Sequence, residues 1–155
     1  MRNGRLFDVG TRTRAGPARF GEPSFTYLNE SKRRPFDRVR SLIEEWFAEY
    51  PTEHHADLRA RFRSVNRRQH AGAFFELYLH ALFNRIGFRA EPQPLIPSGD
   101  RPDFLIHRTD APVLYLEGTA ADEAGQDSGE NTRRERIHQV FAELHRSQLP
   151  ARHLR

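Results

Sequence analysis

The chain has no cysteine, which removes disulfides, a thiolate nucleophile and every cysteine-based zinc site at once. That fits a reducing compartment, and the expected location is the cytoplasm. No apolar run approaches the roughly 20 residues that a membrane helix needs, so no membrane partner is expected. The first ten residues, MRNGRLFDVG, lack the apolar stretch of a secretory signal. Lysine is nearly absent too: Lys32 stands alone, and every other basic residue is arginine, a side chain suited to forked phosphate contacts. No glycine-rich phosphate loop, internal repeat or Ser-His-Asp arrangement is visible.

What the chain has is length for one domain with one core: 155 residues, 37% hydrophobic and 30% charged. Its net charge of +4 is unevenly placed. Residues 1–40 carry ten Lys/Arg against four Asp/Glu, while residues 41–155 carry fifteen against seventeen. Residues 1–34 mix Arg, Gly, Pro and polar side chains without periodicity, and read as a flexible basic arm: either a leader without function, the reading preferred, or an arm that holds nucleic acid by phosphate attraction.

Helices are expected next, over residues 35–65. Phe36, Val39, Ile43, Trp46, Phe47 and Tyr50 recur at helical spacing, with Pro35 at the start and Pro51 at the stop. A short second helix follows in EHHADLRARFRS, whose adjacent His54 and His55 point to different sides and make no metal pair. Asn66 suits the N-cap of a third helix and Gly87 its stop. In that helix Phe74, Phe75, Leu77, Tyr78, Leu79, Leu82, Phe83 and Ile86 cover most of the circumference, so it is expected to be largely buried. One polar stripe remains: Gln69, Ala73, Glu76, His80 and Asn84. The flanking FF and LYL make desolvation of Glu76 the expectation, with His80 a turn away as its partner.

Phe88 to Leu95 is a strand candidate confined to an edge by Pro92 and Pro94. The runs 104–107 and 113–116 flank Arg108-Thr109-Asp110-Ala111-Pro112, the pattern of a hairpin with a five-residue loop. Centred on Asp110, that hairpin sets Leu105 against Tyr115 and Asp103 against Glu117. Opposed carboxylates repel unless a cation lies between them, and a divalent metal is the usual resolution. Thr119 shares their face. Both hairpin faces are apolar, so helices are expected on each. After an acidic loop, Thr132 to Glu135 reads as a capping box for a last helix with Ile137, Val140, Phe141 and Leu144 on one stripe. The fold class expected is α/β (α+β): a small mixed sheet, a hairpin plus an edge strand, between helices.

Pro102-Asp103 followed by Glu117-Gly118-Thr119 resembles the Pro-Asp…(Asp/Glu)-x-Lys pattern of the restriction-endonuclease-like, PD-(D/E)XK, nuclease superfamily. Glu76 resembles that superfamily's first-helix acid, and the resemblance covers roughly residues 66–147. It implies an α-β-β-β-α-β core, here expected within residues 66–149 and ending before the last strand, with 150–155 as a tail. It also implies Mg²⁺ or Mn²⁺ on Asp103 and Glu117, with the Gly118 carbonyl available, Glu76 completing or orienting the shell, and DNA as substrate. The motif lysine is replaced by Thr119, which carries no charge at neutral pH. Arg101, His80 or Gln126 could stand in for it, and nothing in the sequence selects among them. Three readings follow: a metal-dependent phosphodiesterase with Glu76, Asp103, Glu117 and Thr119 in its site, weak or inactive without the lysine; a non-catalytic nucleic-acid-binding or structural protein on the same fold; or a soluble α/β domain whose acids are ordinary surface groups. On the first, Mg²⁺ or Mn²⁺ stabilises the native chain.

Overall fold

The structure, a computed structural model, describes residues 4–96, 99–118, 135–140 and 143. The chain divides into two compact units, one of Met1–Ala15 with Pro23–Ala120 and the other of Gly16–Glu22 with Ala121–Arg155. In the first unit the elements run α1 (Ser24–Glu30), α2 (Arg34–Glu49), a single 3₁₀ turn (Thr52–His54), α3 (His55–Phe62), α4 (Arg67–Arg85), β1 (Arg89–Pro92), β2 (Phe104–Arg108) and β3 (Ala111–Leu116). This is an α+β domain with a three-stranded sheet in the order β1-β2-β3. The sheet is antiparallel throughout rather than mixed. In the second unit residues 135–140 are helical, and the rings of Phe20 and His138 lie 6.0 Å apart.

Local rules place the helix limits. Pro35 sits in the first turn of α2, where its missing N–H costs nothing, and Tyr50 ends that helix just before Pro51. The Asn66 side chain accepts the backbone N–H groups of Arg68 at 3.0 Å and Gln69 at 3.3 Å, which caps α4. Gly87 follows α4 at φ +88°, a left-handed stop that favours glycine.

The front of the chain is not an arm. Leu6 and Phe7 are buried in the core, and Phe7 stacks on Phe25 at 5.8 Å and meets Phe62 edge-on at 5.7 Å. Two adjacent apolar residues clip an otherwise polar segment down because side chains satisfy its backbone. The Glu44 carboxylate accepts the N–H groups of Leu6 and Phe7, and Arg63 donates to the Leu6 carbonyl at 2.8 Å. Phe25 and Tyr27 of α1 are buried as well.

The hairpin differs from expectation at its tip. Phe104, Leu105 and Ile106 pair with Leu116, Tyr115 and Leu114, but His107 pairs with Pro112 and Arg108 with Ala111. The loop is therefore two residues, Thr109 and Asp110, both at positive φ (47° and 64°), the twist that tight hairpin turns require. Val113 takes up the extra residue as a bulge. One face of the sheet lies in the core through Ala90, Phe104 and Ile106; on the other, His107 is buried while Val113 and Tyr115 are more than half exposed.

Helix α4 is also not largely buried. Ala73, Glu76, Leu77, His80 and Ala81 are buried, whereas Phe74, Phe75, Tyr78 and Ile86 are 37–57% exposed. The helix packs on one side only, against α2, α3 and β1. The side it presents carries two alanines that permit close approach, and its polar groups find partners there.

Candidate functional site

Two elements bring side chains to Glu76. Tyr50, at the end of α2 and 1% exposed, donates its hydroxyl hydrogen to Glu76 Oε1 at 2.5 Å. From α3, Arg61 Nη2 donates to Glu76 Oε2 at 2.7 Å, and its Nε donates to Asp57 Oδ2 at 2.7 Å. Asp57 and Arg61 are one helical turn apart, so the pair is set up within α3 before Glu76 arrives. His55 Nε2 lies 2.7 Å from the Tyr50 carbonyl, fixing the corner from which the phenol projects. Glu76 is buried with both oxygens engaged, which is what a desolvated carboxylate requires.

Burial, the hydrogen bond to Glu76 and the charge of Glu76 together push the Tyr50 hydroxyl far above its ordinary pKa; Arg61 opposes this and the charge of Asp103 adds to it. Tyr50 is thus a fixed neutral donor, and Asp103 lies close enough to act on it. For Arg61 burial disfavours the charge, but the bonds to Glu76 and Asp57 outweigh that and hold its pKa above the usual value. One turn along α4, burial lowers His80 to about 4, so its imidazole is neutral at pH 7. Its ring packs 4.8 Å from that of Tyr50 and 6.5 Å from that of Phe104. Asn84 reaches His80 Nε2 at 3.1 Å and accepts the Ala90 N–H at 3.2 Å. His80 therefore partners Asn84 and the rings, not Glu76 as expected.

Asp103 stands just before β2, half-buried. Its carbonyl accepts the Gln93 N–H at 2.9 Å and its Oδ2 accepts the Gly118 N–H at 2.6 Å. A Cβ on Gly118 would come within 3.2 Å of a Phe75 ring carbon and 3.5 Å of Asp103 Oδ2, so the backbone passes tightly between α4 and the aspartate. Asp103 thus bonds the backbone beyond Glu117, while Glu117 itself is exposed. Asp103 is linked to α4 through Gly118 and Phe75, and its charge is felt weakly at Tyr50. Thr119 and Gln126 lie outside the described residues. Arg101 is exposed and has no polar contact to the cluster among the described residues.

Sequence reasoning missed Tyr50 and Arg61. Tyr50 counted only as an apolar position, and Arg61 sat among several arginines. The usable signal was Glu76 itself: an acid flanked by FF and LYL demands donors, and α3 is the neighbouring helix that carries them.

A divalent cation would need several oxygen ligands around one point. Both oxygens of Glu76 are committed, one of them to a cation already present. Asp103 spends one oxygen on Gly118, and Glu117 faces solvent. Among the described residues no group of three or more His, Asp or Glu side chains is arranged to hold an ion. Nearby, a cavity of about 470 Å³ has Pro51, His54, His80, Asn84, Glu91 and Gln93 in its wall. Its polar groups are largely spoken for: Asn84 as above, and Glu91 by His107 Nε2 at 3.0 Å.

No family model, curated protein or solved structure matches the chain.

Proposed function

We propose that the chain is a nuclease-like nucleic-acid-binding domain that does not cut in the arrangement described. The reading is supported by the burial of Glu76 on α4, both its oxygens engaged by Tyr50 and Arg61, and by Asp103 at the entry to the hairpin, whose Oδ2 accepts the Gly118 N–H beside Phe75 of α4. Acids on those two elements are what the Pro102-Asp103 and Glu117-Gly118-Thr119 pattern implies. Thr119 stands in the place of the motif lysine, and both Glu76 oxygens are engaged by Tyr50 and Arg61, which supports binding without cleavage.

Binding would come from cations elsewhere. Lys32, Arg33, Arg34 and Arg38 are exposed around the start of α2, a cluster suited to phosphate. Fluorescence anisotropy with labelled duplex and single-stranded DNA tests this across a salt series, with gel assays for cleavage in Mg²⁺ and Mn²⁺. Four phosphate contacts correspond to a log–log salt slope of about −3 to −4 on duplex DNA. The expected result is salt-dependent binding, weakened when those four residues are neutralised, and no cleavage above background. Absence of binding at low salt would overturn the reading.

A second reading, a metal-dependent phosphodiesterase with Mg²⁺ or Mn²⁺ at Asp103 and Glu117, is favoured by the same convergence of acids. Its signature is nicking of plasmid DNA that disappears in Asp103→Ala.

A further inference from the structure

We infer that Arg61 is the resident cation of the acid cluster and keeps hard, oxygen-seeking metal ions out of it. The inference deepens the reading of Glu76 and Asp103 as a nuclease-like acid pair, and concerns what governs that site. A buried carboxylate needs a positive partner, and here the partner is built into the chain. The guanidinium reaches Glu76 Oε2 at 2.7 Å through Nη2 and Asp57 Oδ2 at 2.7 Å through Nε. The planar fork serves the two carboxylates from two separate nitrogens in a fixed geometry, which a lysine's compact ammonium does not reproduce. The Arg61 side chain is 27% exposed and that of Glu76 10%, so the charge blocks the solvent side of the acid while Tyr50 occupies the inner oxygen.

Two cations cannot share Glu76 at this range. At 4 Å, like charges near a protein surface repel by about 4 kcal/mol, and a metal would have to displace the guanidinium to bind. Removing Arg61 leaves the Glu76 and Asp57 carboxylates it bridges without their cation. That uncompensated pair attracts a divalent or trivalent ion.

Terbium luminescence, sensitised through tyrosine and competed with Mn²⁺, reads this without nucleic acid or activity. The parent should show no saturable signal that depends on Glu76, judged against Glu76→Gln. Arg61→Gln should bind Tb³⁺ at least about tenfold more tightly, a gain of about 1.4 kcal/mol, and Arg61→Gln/Glu76→Gln should lose that gain. Arg61→Lys, which keeps a charge and so favours folding, should show the same gain more weakly. The inference is overturned if the parent binds the ion through Glu76, if neither Arg61 variant gains affinity, or if the gain survives Glu76→Gln. A failure here leaves DNA binding by the cluster at α2 untouched, because that is measured without the ion.

Discussion

On α4 the side bearing Glu76 and His80 is buried, and the side bearing Phe74, Phe75 and Tyr78 is open to solvent. Counted by hydropathy, the two should be reversed. The buried side is narrow, with Ala73 and Ala81 letting the neighbouring elements approach, and each of its polar groups meets a partner: Glu76 with Tyr50 and Arg61, His80 with Asn84. The open side consists of large rings that shield one another and Trp46, with Phe75 against Tyr78 at 6.1 Å and Trp46 against Tyr78 at 6.0 Å. The lesson is that partners decide burial. A polar stripe whose groups all find partners can outcompete a more hydrophobic aromatic stripe for the buried position.

The comparison breaks most readily at Leu77, the one large aliphatic on the buried side at 0% exposure. Leu77→Ala should cost about 2–5 kcal/mol in chemical denaturation, through lost transfer energy and the cavity left behind. A cost below about 1 kcal/mol would mean that the inward side is not the packed one.

The next effect is pH. An unfolded histidine titrates near 6.5, while burial holds His80 at about 4 in the fold. As the pH falls the unfolded chain takes up the proton first, so stability is full above pH 6.5 and drains away towards pH 4. The limit of that loss is about 3 kcal/mol. Denaturation at pH 7, 5.5 and 4 should show the decline, and His80→Phe should flatten it. The loss from Asp8, whose pKa is lowered first by its bond to Arg63 and then by Asn29, belongs to lower pH, below the ordinary aspartate value of 3.8.

Glu76→Gln should come third. The amide oxygen keeps one acceptor, but Arg61 loses its charged partner, at a cost of about 1–2 kcal/mol given how much of Arg61 remains in water. Glu76→Ala should cost more than Glu76→Gln in the same melts; equal costs would leave the Tyr50 hydrogen bond without weight. The smallest effect belongs to the open side, where Ile86→Ser at a 57% exposed position should change stability by no more than about 0.5 kcal/mol.

Much of the fold was legible because the rules that govern it are local. Pro35 and Pro51 bracket α2, Asn66 and Gly87 bracket α4, and the pairing of 104–106 with 114–116 follows from alternation. What was not legible depends on contacts distant in sequence. Residues 1–34 look like a loose arm until Glu44 and Arg63 are found holding the backbone of Leu6 and Phe7. The five-residue loop became two because a bulge at Val113 absorbs a residue, and bulges have no strong sequence signal. Glu76 and Asp103 were readable as candidates, but the residues that neutralise Glu76 lie 15 and 26 positions upstream, where no spacing rule points to them.

The central claim is that an arginine, and not a metal, balances the acid cluster. Thermal melting of the parent chain with and without Mg²⁺ or Mn²⁺ tests it most directly, because an ion that binds only the native state must raise the melting temperature. The predicted result is a melting temperature that does not move with either ion. A rise that vanishes in Asp103→Asn would contradict the claim and place a metal where Arg61 is argued to suffice.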